Sequence, residues 1–269
     1  VVAGHPIPAS RTCVIATTPR TGSWLLAEGL HSTGLAGEPQ EYFGWEGFER
    51  WSEEFGLGID ASPLLFVQAA ITYGTTENGI FSTKMHWSQL ERFSSRIRDL
   101  PGWWPASDAD LLKRLFPDVH FVYLWRRDTA RQAISYWRAV QAGAWWDNGS
   151  PWPEREPVTE VDLQQIRWCE DLLMGQNQAW RELLEGSGLP TIEIVYENLA
   201  LHRANAVEAV LDFLGVDHDG VELPVSRLRR QSDEQTEAWL AEYRETKDRL
   251  RPLPSRWKWV GTRIEEIDS

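Results

Sequence analysis

The chain has 269 residues, 42% hydrophobic and 25% charged, enough for one large α/β domain with a sizeable core. A net charge of −13 argues against a broad nucleic-acid footprint, which needs a basic face. Two cysteines, Cys13 and Cys169, leave no disulfide framework and no zinc spacing, and both read as buried thiols. No run of about 18 apolar residues suggests a membrane span, and no signal-peptide pattern stands at the start, so the expectation is a cytoplasmic, soluble protein.

Apolar runs suited to buried strands are Thr12–Thr18, Gly79–Lys84, Val119–Trp125 and Thr191–Tyr196. Helical periodicity occupies Ser23–His31, Pro63–Tyr73, His86–Asp99, Asp108–Phe116, Thr129–Gln141, Thr159–Leu184, Ala200–Leu214 and Asp233–Leu250. The alternation predicts an α/β fold: a doubly wound, mostly parallel sheet flanked by helices. We expect a single domain over residues 12–269, preceded by an N-terminal extension, 1–11. The turn-rich segment Asp147–Pro157 is either a lid or a surface connection. Trp103-Trp104 and Trp145-Trp146, beside glycine and proline, are pocket walls or loop packing.

The first strand runs into Thr17-Thr18-Pro19-Arg20-Thr21-Gly22-Ser23-Trp24-Leu25-Leu26. Strand, small-residue loop, then helix is how a chain cradles a phosphate: backbone N–H groups converge, and the helix N-terminus adds partial positive charge. The loop is P-loop-like without being a Walker A loop, because G-x-x-x-x-G-K-[ST] is absent and the basic residue, Arg20, precedes the glycine. A second anion element is His120–Trp125 followed by Arg126, Arg127 and a helix. Arg127 and Ser135 are eight apart and could grip one phosphate by a fork and a hydroxyl. A Walker B strand would end in aspartate to hold magnesium; this one ends in arginine.

Together these runs resemble the nucleotide-binding elements of PAPS-dependent sulfotransferases, and more narrowly the bacterial Stf0-type family, whose best known member sulfates trehalose. The supporting runs are Thr18–Ser23, Thr33–Phe43 (with Gly37-Glu38-Pro39-Gln40-Glu41-Tyr42-Phe43), Lys84–Trp87 and Ala133–Gln141, with a weaker echo from Arg230 to Trp239. The resemblance covers roughly residues 12 to 245. It implies that Arg20, Thr21, Gly22, Ser23 and Trp24 hold a 5′-phosphosulfate, and that Arg127 and Ser135 hold the 3′-phosphate. Arg229 or Arg230 is the candidate for the charge that a missing C-terminal glycine-rich motif supplies in eukaryotic relatives. The product would be adenosine 3′,5′-bisphosphate.

By the same resemblance Glu41 matches the proposed general base and Glu38 a hydrogen-bonding partner of acceptor hydroxyls. Lys84-Met85-His86 resembles the Lys-x-His of eukaryotic cytosolic sulfotransferases, in which lysine contacts the phosphosulfate and histidine is the base. Glu41 or His86, or one orienting the other, is therefore the expected base, with Arg20 and Lys84 as charge stabilisers and no metal required. The family loop commonly reads Gln-Arg-Ser-Gly-Ser-Thr. Pro19 and Trp24 depart from it, so the acceptor is expected to differ from a familiar disaccharide. Trp45, Trp51 and Trp87 are candidate walls of the acceptor pocket. The expected partner is a small hydroxylated acceptor such as a carbohydrate or glycoside, and a homodimer stays open. Two other readings are a P-loop-type small-molecule kinase and a non-catalytic nucleotide-binding partner protein.

Overall fold

A computed structural model describes residues 7–44, 47–58, 60–104, 106–143, 160–226, 233–254, 257–260 and 263–266. The chain divides into two compact units, residues 1–125 with 177–224 and residues 126–176 with 225–269. In chain order the elements are β1 (Arg11–Thr17), α1 (Ser23–Thr33), α2 (Gly47–Glu54), α3 (Pro63–Gly74), β2 (Ile80–His86), α4 (Trp87–Arg98), α5 (Asp108–Leu115) and β3 (Val119–Trp125). There follow α6 (Thr129–Ala142), α7 (Leu163–Ser187), β4 (Thr191–Val195), α8 (Tyr196–Leu201), α9 (Arg203–Phe213), α10 (Glu234–Thr246), β5 (Trp257–Val260) and β6 (Arg263–Glu266).

The first unit is built on a four-stranded sheet in the order β2-β1-β3-β4, every neighbour parallel. β1, β2 and β3 are buried along almost their whole length because both faces are covered, while the edge strand β4 is only partly buried. Val14, Ala16, Phe81, Met85, Phe121 and Tyr123 turn to one side and pack with Phe66 of α3, Phe93 of α4 and Trp180 of α7. Cys13, Ile15, Val122 and Leu124 turn to the other and pack with Leu26 and Leu30 of α1 and Val207 and Leu211 of α9. Both cysteines are buried and unpaired. The strand order reverses at β1, between β2 and β3. In such a sheet the crevice beyond the carboxyl ends of the strands at that reversal is where ligands bind. β1 and β2 pair in register to their last residues, Thr17 opposite His86, so their C-terminal ends lie side by side.

The second unit has its own core, made by Ile134 and Trp137 of α6, Ile166, Cys169 and Leu173 of α7, and Trp239 and Tyr243 of α10. Asp128 caps α6 by accepting from the Arg131 N–H, and Asp233 caps α10 by accepting from the Thr236 N–H. Its C-terminal hairpin pairs β5 with β6 antiparallel.

Several boundaries differ from the expected ones. β2 runs two residues past Lys84, which puts His86 at the strand end. The run Thr191–Tyr196 stops at Val195, and Tyr196 opens α8. The predicted helix Ala200–Leu214 is α8 and α9, broken at His202. Neither α2 nor the β5–β6 hairpin was expected. Asp147–Pro157 and Trp145-Trp146 lie outside the described residues. Among the described residues no helix is long and apolar enough to cross a membrane.

Candidate active site

The β1–α1 loop is braced from the strand below it. The Trp180 indole N–H donates to the Thr17 carbonyl at 2.8 Å, and the Thr17 hydroxyl donates to the Leu124 carbonyl at 2.8 Å. The buried Thr21 hydroxyl lies 2.5 Å from that of Thr17 and reaches the Thr18 carbonyl at 3.0 Å. Thus the Thr21 side chain supports the loop from inside. Arg20 has φ 68° and Gly22 φ 75°, and the alternation of left-handed residues folds the backbone into the kind of N–H concavity that receives anions. Left-handed geometry is costly at an arginine, so the loop holds it there against a local penalty. Gly22 could not be another residue, since a Cβ would sit 2.6 Å from the Tyr196 ring. No side chain makes a cap hydrogen bond to α1, whose N-terminus opens directly from the loop.

Glu41 is presented by a loop stapled to the edge strand. Gly37, at φ 72°, passes so close to β2 that a Cβ would lie 2.4 Å from the Ser82 nitrogen, and the Ser82 hydroxyl donates to the Ala36 carbonyl. Three residues on, the Gln40 carbonyl accepts from the Lys84 N–H at 2.9 Å and the Thr83 hydroxyl at 3.1 Å. On the other side of Glu41, Tyr42 plugs into the core, its ring 4.8 Å from Trp51 and its hydroxyl donating to the Glu38 carbonyl at 2.8 Å. Glu41 therefore stands between a strand bridge and an aromatic anchor.

Its carboxylate meets three groups. Oε1 lies 2.5 Å from the Lys84 Nζ and 3.6 Å from the His86 Nε2, while Oε2 accepts from the Gln89 side-chain amide at 2.7 Å. Lys84 and His86 share a face because they are two apart on β2. The Lys84 side chain is 0% exposed, His86 13% and Glu41 28%. The Trp24 ring covers the ammonium, its centroid 3.7 Å from Nζ. Burial favours a neutral Glu41, but the charges of Lys84 and His86 and their hydrogen bonds win, and the carboxyl sits well below its ordinary range. Burial pulls the Lys84 ammonium below its usual value, Glu41 opposes this, and the charge of Arg20 adds to the downward pull. Arg20 and Lys84 thus act on one small volume. Apart from Glu41, the Lys84 Nζ has no hydrogen-bond partner among the described residues. A buried ammonium with unmet donors, beside an arginine and an uncapped helix start, suits an anionic ligand.

A family model described as Stf0 sulphotransferase matches residues 12–246. The chain belongs to the Stf0 sulphotransferases. Trehalose 2-sulfotransferase of Mycobacterium tuberculosis is 31% identical over 90% of this chain and 97% of its own length. Trehalose 2-sulfotransferase of Mycolicibacterium smegmatis is 30% identical over 86% and 93%. A solved sulfotransferase domain from the curacin biosynthetic pathway aligns with a TM-score of 0.46 at 15% identity, covering 80% of this chain and 77% of that one. Nothing in these comparisons favours a P-loop kinase or a non-catalytic nucleotide-binding protein.

The sulfotransferase brings Glu41, Lys84, His86 and Trp24 into direct contact, with Arg20 acting on Lys84 through its charge. Glu38 pairs with the His31 Nδ1 at 2.6 Å. Trp51 is 7% exposed, inside the aromatic core, where its ring stacks on Phe55 at 5.6 Å. Trp87 is half-buried at the start of α4, edge-on to Trp180 at 5.2 Å. Pro19 is half-buried in the loop, and Ser23 is buried at the first position of α1. In the second unit Arg127 is exposed just before the α6 cap, Ser135 is half-buried on α6, and Arg126 is buried. Trp45 and Arg230 lie outside the described residues. Among the described residues no group of three His, Cys, Asp or Glu side chains could hold a metal ion. Two residues that sequence reasoning missed shape the site: Trp180, which braces the loop, and Gln89, which touches Glu41. Gln89 left a faint signal, since His86-x-x-Gln89 has the spacing of a helix capping box.

Proposed function

We propose that this sulfotransferase moves the sulfuryl group of PAPS to a hydroxyl of a small carbohydrate, with Glu41 as general base. The observation that carries the reading is the Glu41 Oε1 at 2.5 Å from a fully buried Lys84 ammonium that has donors to spare. When bound, PAPS supplies the sulfuryl group and leaves as adenosine 3′,5′-bisphosphate. Arg20, Lys84 and the N–H groups of Thr21, Gly22 and Ser23 hold the negative charge of the sulfuryl and bridging oxygens. Arg127, Ser135 and Arg230 are the candidates for the 3′-phosphate. Glu41 takes the hydroxyl proton as the acceptor oxygen bonds to sulfur and the sulfur–phosphate oxygen bond breaks. With Lys84 drawn to an anion, Glu41 loses part of the charge that depresses its pKa and becomes the stronger base. His86 stands within reach of the same oxygen and steadies the carboxylate. The two mycobacterial relatives are named for trehalose, which makes a sugar hydroxyl the first acceptor to try.

The test is a transfer assay with labelled PAPS against trehalose, other sugars, glycolipids and phenols, with calorimetry on the two nucleotides. A labelled sugar product and binding of adenosine 3′,5′-bisphosphate are expected. Tight binding of ATP without binding of the bisphosphate would sink the proposal.

A further inference from the structure

Gln89 occupies the third position of α4, and its side chain makes two bonds of opposite sense. Its Oε1 accepts from the His86 backbone N–H at 2.9 Å, and its Nε2 donates to the Glu41 Oε2 at 2.7 Å. The backbone N–H can only donate, so it fixes which end of the amide faces it. The NH2 end must then face Glu41. The arrangement has been given room: a Cβ on Gly44 would come 3.1 Å from the Gln89 Nε2 and 3.7 Å from the Glu41 Oε2. One amide thus ties the helix start that carries His86 to the carboxylate that His86 faces.

We infer that Gln89 is a positioning residue for sulfuryl transfer: it pins the Glu41 Oε2 and turns Oε1 toward Lys84 and His86. The inference rests on Glu41 being the base. A carboxylate free to rotate would divide its time between the buried ammonium and solvent. With one oxygen held by an oriented donor, the other stays at the reacting position. A donated hydrogen bond also favours the charged form, so the amide supports Glu41 as an acceptor of protons. The two halves of the side chain do separable jobs, the oxygen capping α4 and the nitrogen holding Glu41.

The experiment exploits that separation. Gln89→Glu keeps an acceptor for the His86 N–H, and glutamate is the preferred residue at this capping position. It replaces the donor facing Glu41 with a second carboxylate, and two carboxylates in contact cannot both ionise easily. Lys84 and His86 hold Glu41 ionised, so the shared proton sits on the introduced carboxyl, which then donates to Glu41 as the amide does. The expected result is activity kept at low pH and a new basic limb in the kcat–pH profile, where that carboxyl ionises and repels Glu41, with the melting temperature little changed. Gln89→Met removes both bonds at similar size. It should lower kcat about tenfold, with the KM for PAPS within about twofold of the parent and the acidic limb shifted upward. A purely structural Gln89 would leave the Gln89→Glu profile overlaid on the parent's. That outcome, with Glu41→Gln inactive, overturns the inference and leaves the proposed function standing. Should Gln89→Glu fail to fold, wild-type kcat and pH profile in Gln89→Met overturn it equally. Parent-like kcat in Glu41→Gln would instead remove the base assignment on which it depends.

Discussion

Two carboxylate–lysine pairs, one in each unit and each with one fully buried member, have opposite characters. In the second unit Glu170 is 1% exposed and fully occupied: it accepts from the Thr129 hydroxyl at 2.7 Å, the Tyr243 hydroxyl at 2.6 Å and the Lys247 Nζ at 3.0 and 3.2 Å. Burial pushes its carboxyl up, these donors pull it down, and the donors win. It links α6, α7 and α10. In the first unit the fully buried charge is a cation, Lys84, which meets one carboxylate and one aromatic face and has N–H groups left over. A saturated buried charge is a strut, while one with surplus donors is a site prepared for a ligand of opposite sign. The difference in saturation, more than burial itself, sets the two pairs apart.

Replacing Lys84 probes the contrast most severely. Lys84→Met should cut kcat by about two to three orders of magnitude at saturating PAPS. Glu41 loses the ammonium but is 28% exposed and keeps Gln89 and His86, so thermal denaturation should show a smaller loss of stability than Glu170→Ala. A collapsed melting temperature with kcat intact would reverse the roles assigned to the two pairs. Glu170→Ala should do the opposite. We expect about 3 kcal/mol of stability to be lost in urea unfolding, because the Tyr243 and Thr129 hydroxyls and Lys247 lose their acceptor, with kcat changed less than about threefold.

The two carboxylates agree in one respect. Both have folded pKa values below their unfolded ones, Glu41 strongly so. Below the unfolded value of about 4.3 the unfolded chain binds more protons, so stability rises with pH in that window. The stabilisation is present above that value and is lost as pH falls through the folded pKa values. Unfolding free energy measured from about pH 5 downward should therefore decline, and Glu170→Ala should flatten part of the slope. The smallest effect is expected at the ring over Lys84. Trp24→Leu should raise the KM for PAPS by about fivefold, on the order of 1 kcal/mol, with kcat within about twofold. An unchanged KM would show that the ring is only a lid on the lysine.

The elements nearest the site were the most legible in the sequence. The β1 run into Thr17–Ser23 announced the loop, and the Lys-x-His run singled out Lys84 and His86, but the strand was expected to stop at Lys84 and it is the longer β2 that puts both on one face. The Gly37–Phe43 run pointed to Glu41, but its placement depends on Gln40 pairing with Thr83 across 43 positions of sequence, which no local pattern contains. Trp51 stands close to Glu41 in sequence and is a core residue, because α2 turns it onto Tyr42 and Phe55. Glu38 found a local partner in His31. Gln89 escaped notice because histidine is an unusual helix cap, and Tyr196 hid the start of α8 by extending the apolar run of β4. The alternation Trp257-Lys258-Trp259-Val260 would have signalled β5, but it is only four residues long.

The most direct test of the account is the single-turnover rate of Glu41→Gln and His86→Ala with labelled PAPS and a sugar acceptor, alongside calorimetry with adenosine 3′,5′-bisphosphate. Glu41→Gln is expected to lose about three orders of magnitude while still binding the bisphosphate, and His86→Ala to lose less. Near wild-type turnover in Glu41→Gln, with His86→Ala down by about two orders, would contradict it and move the base to the histidine.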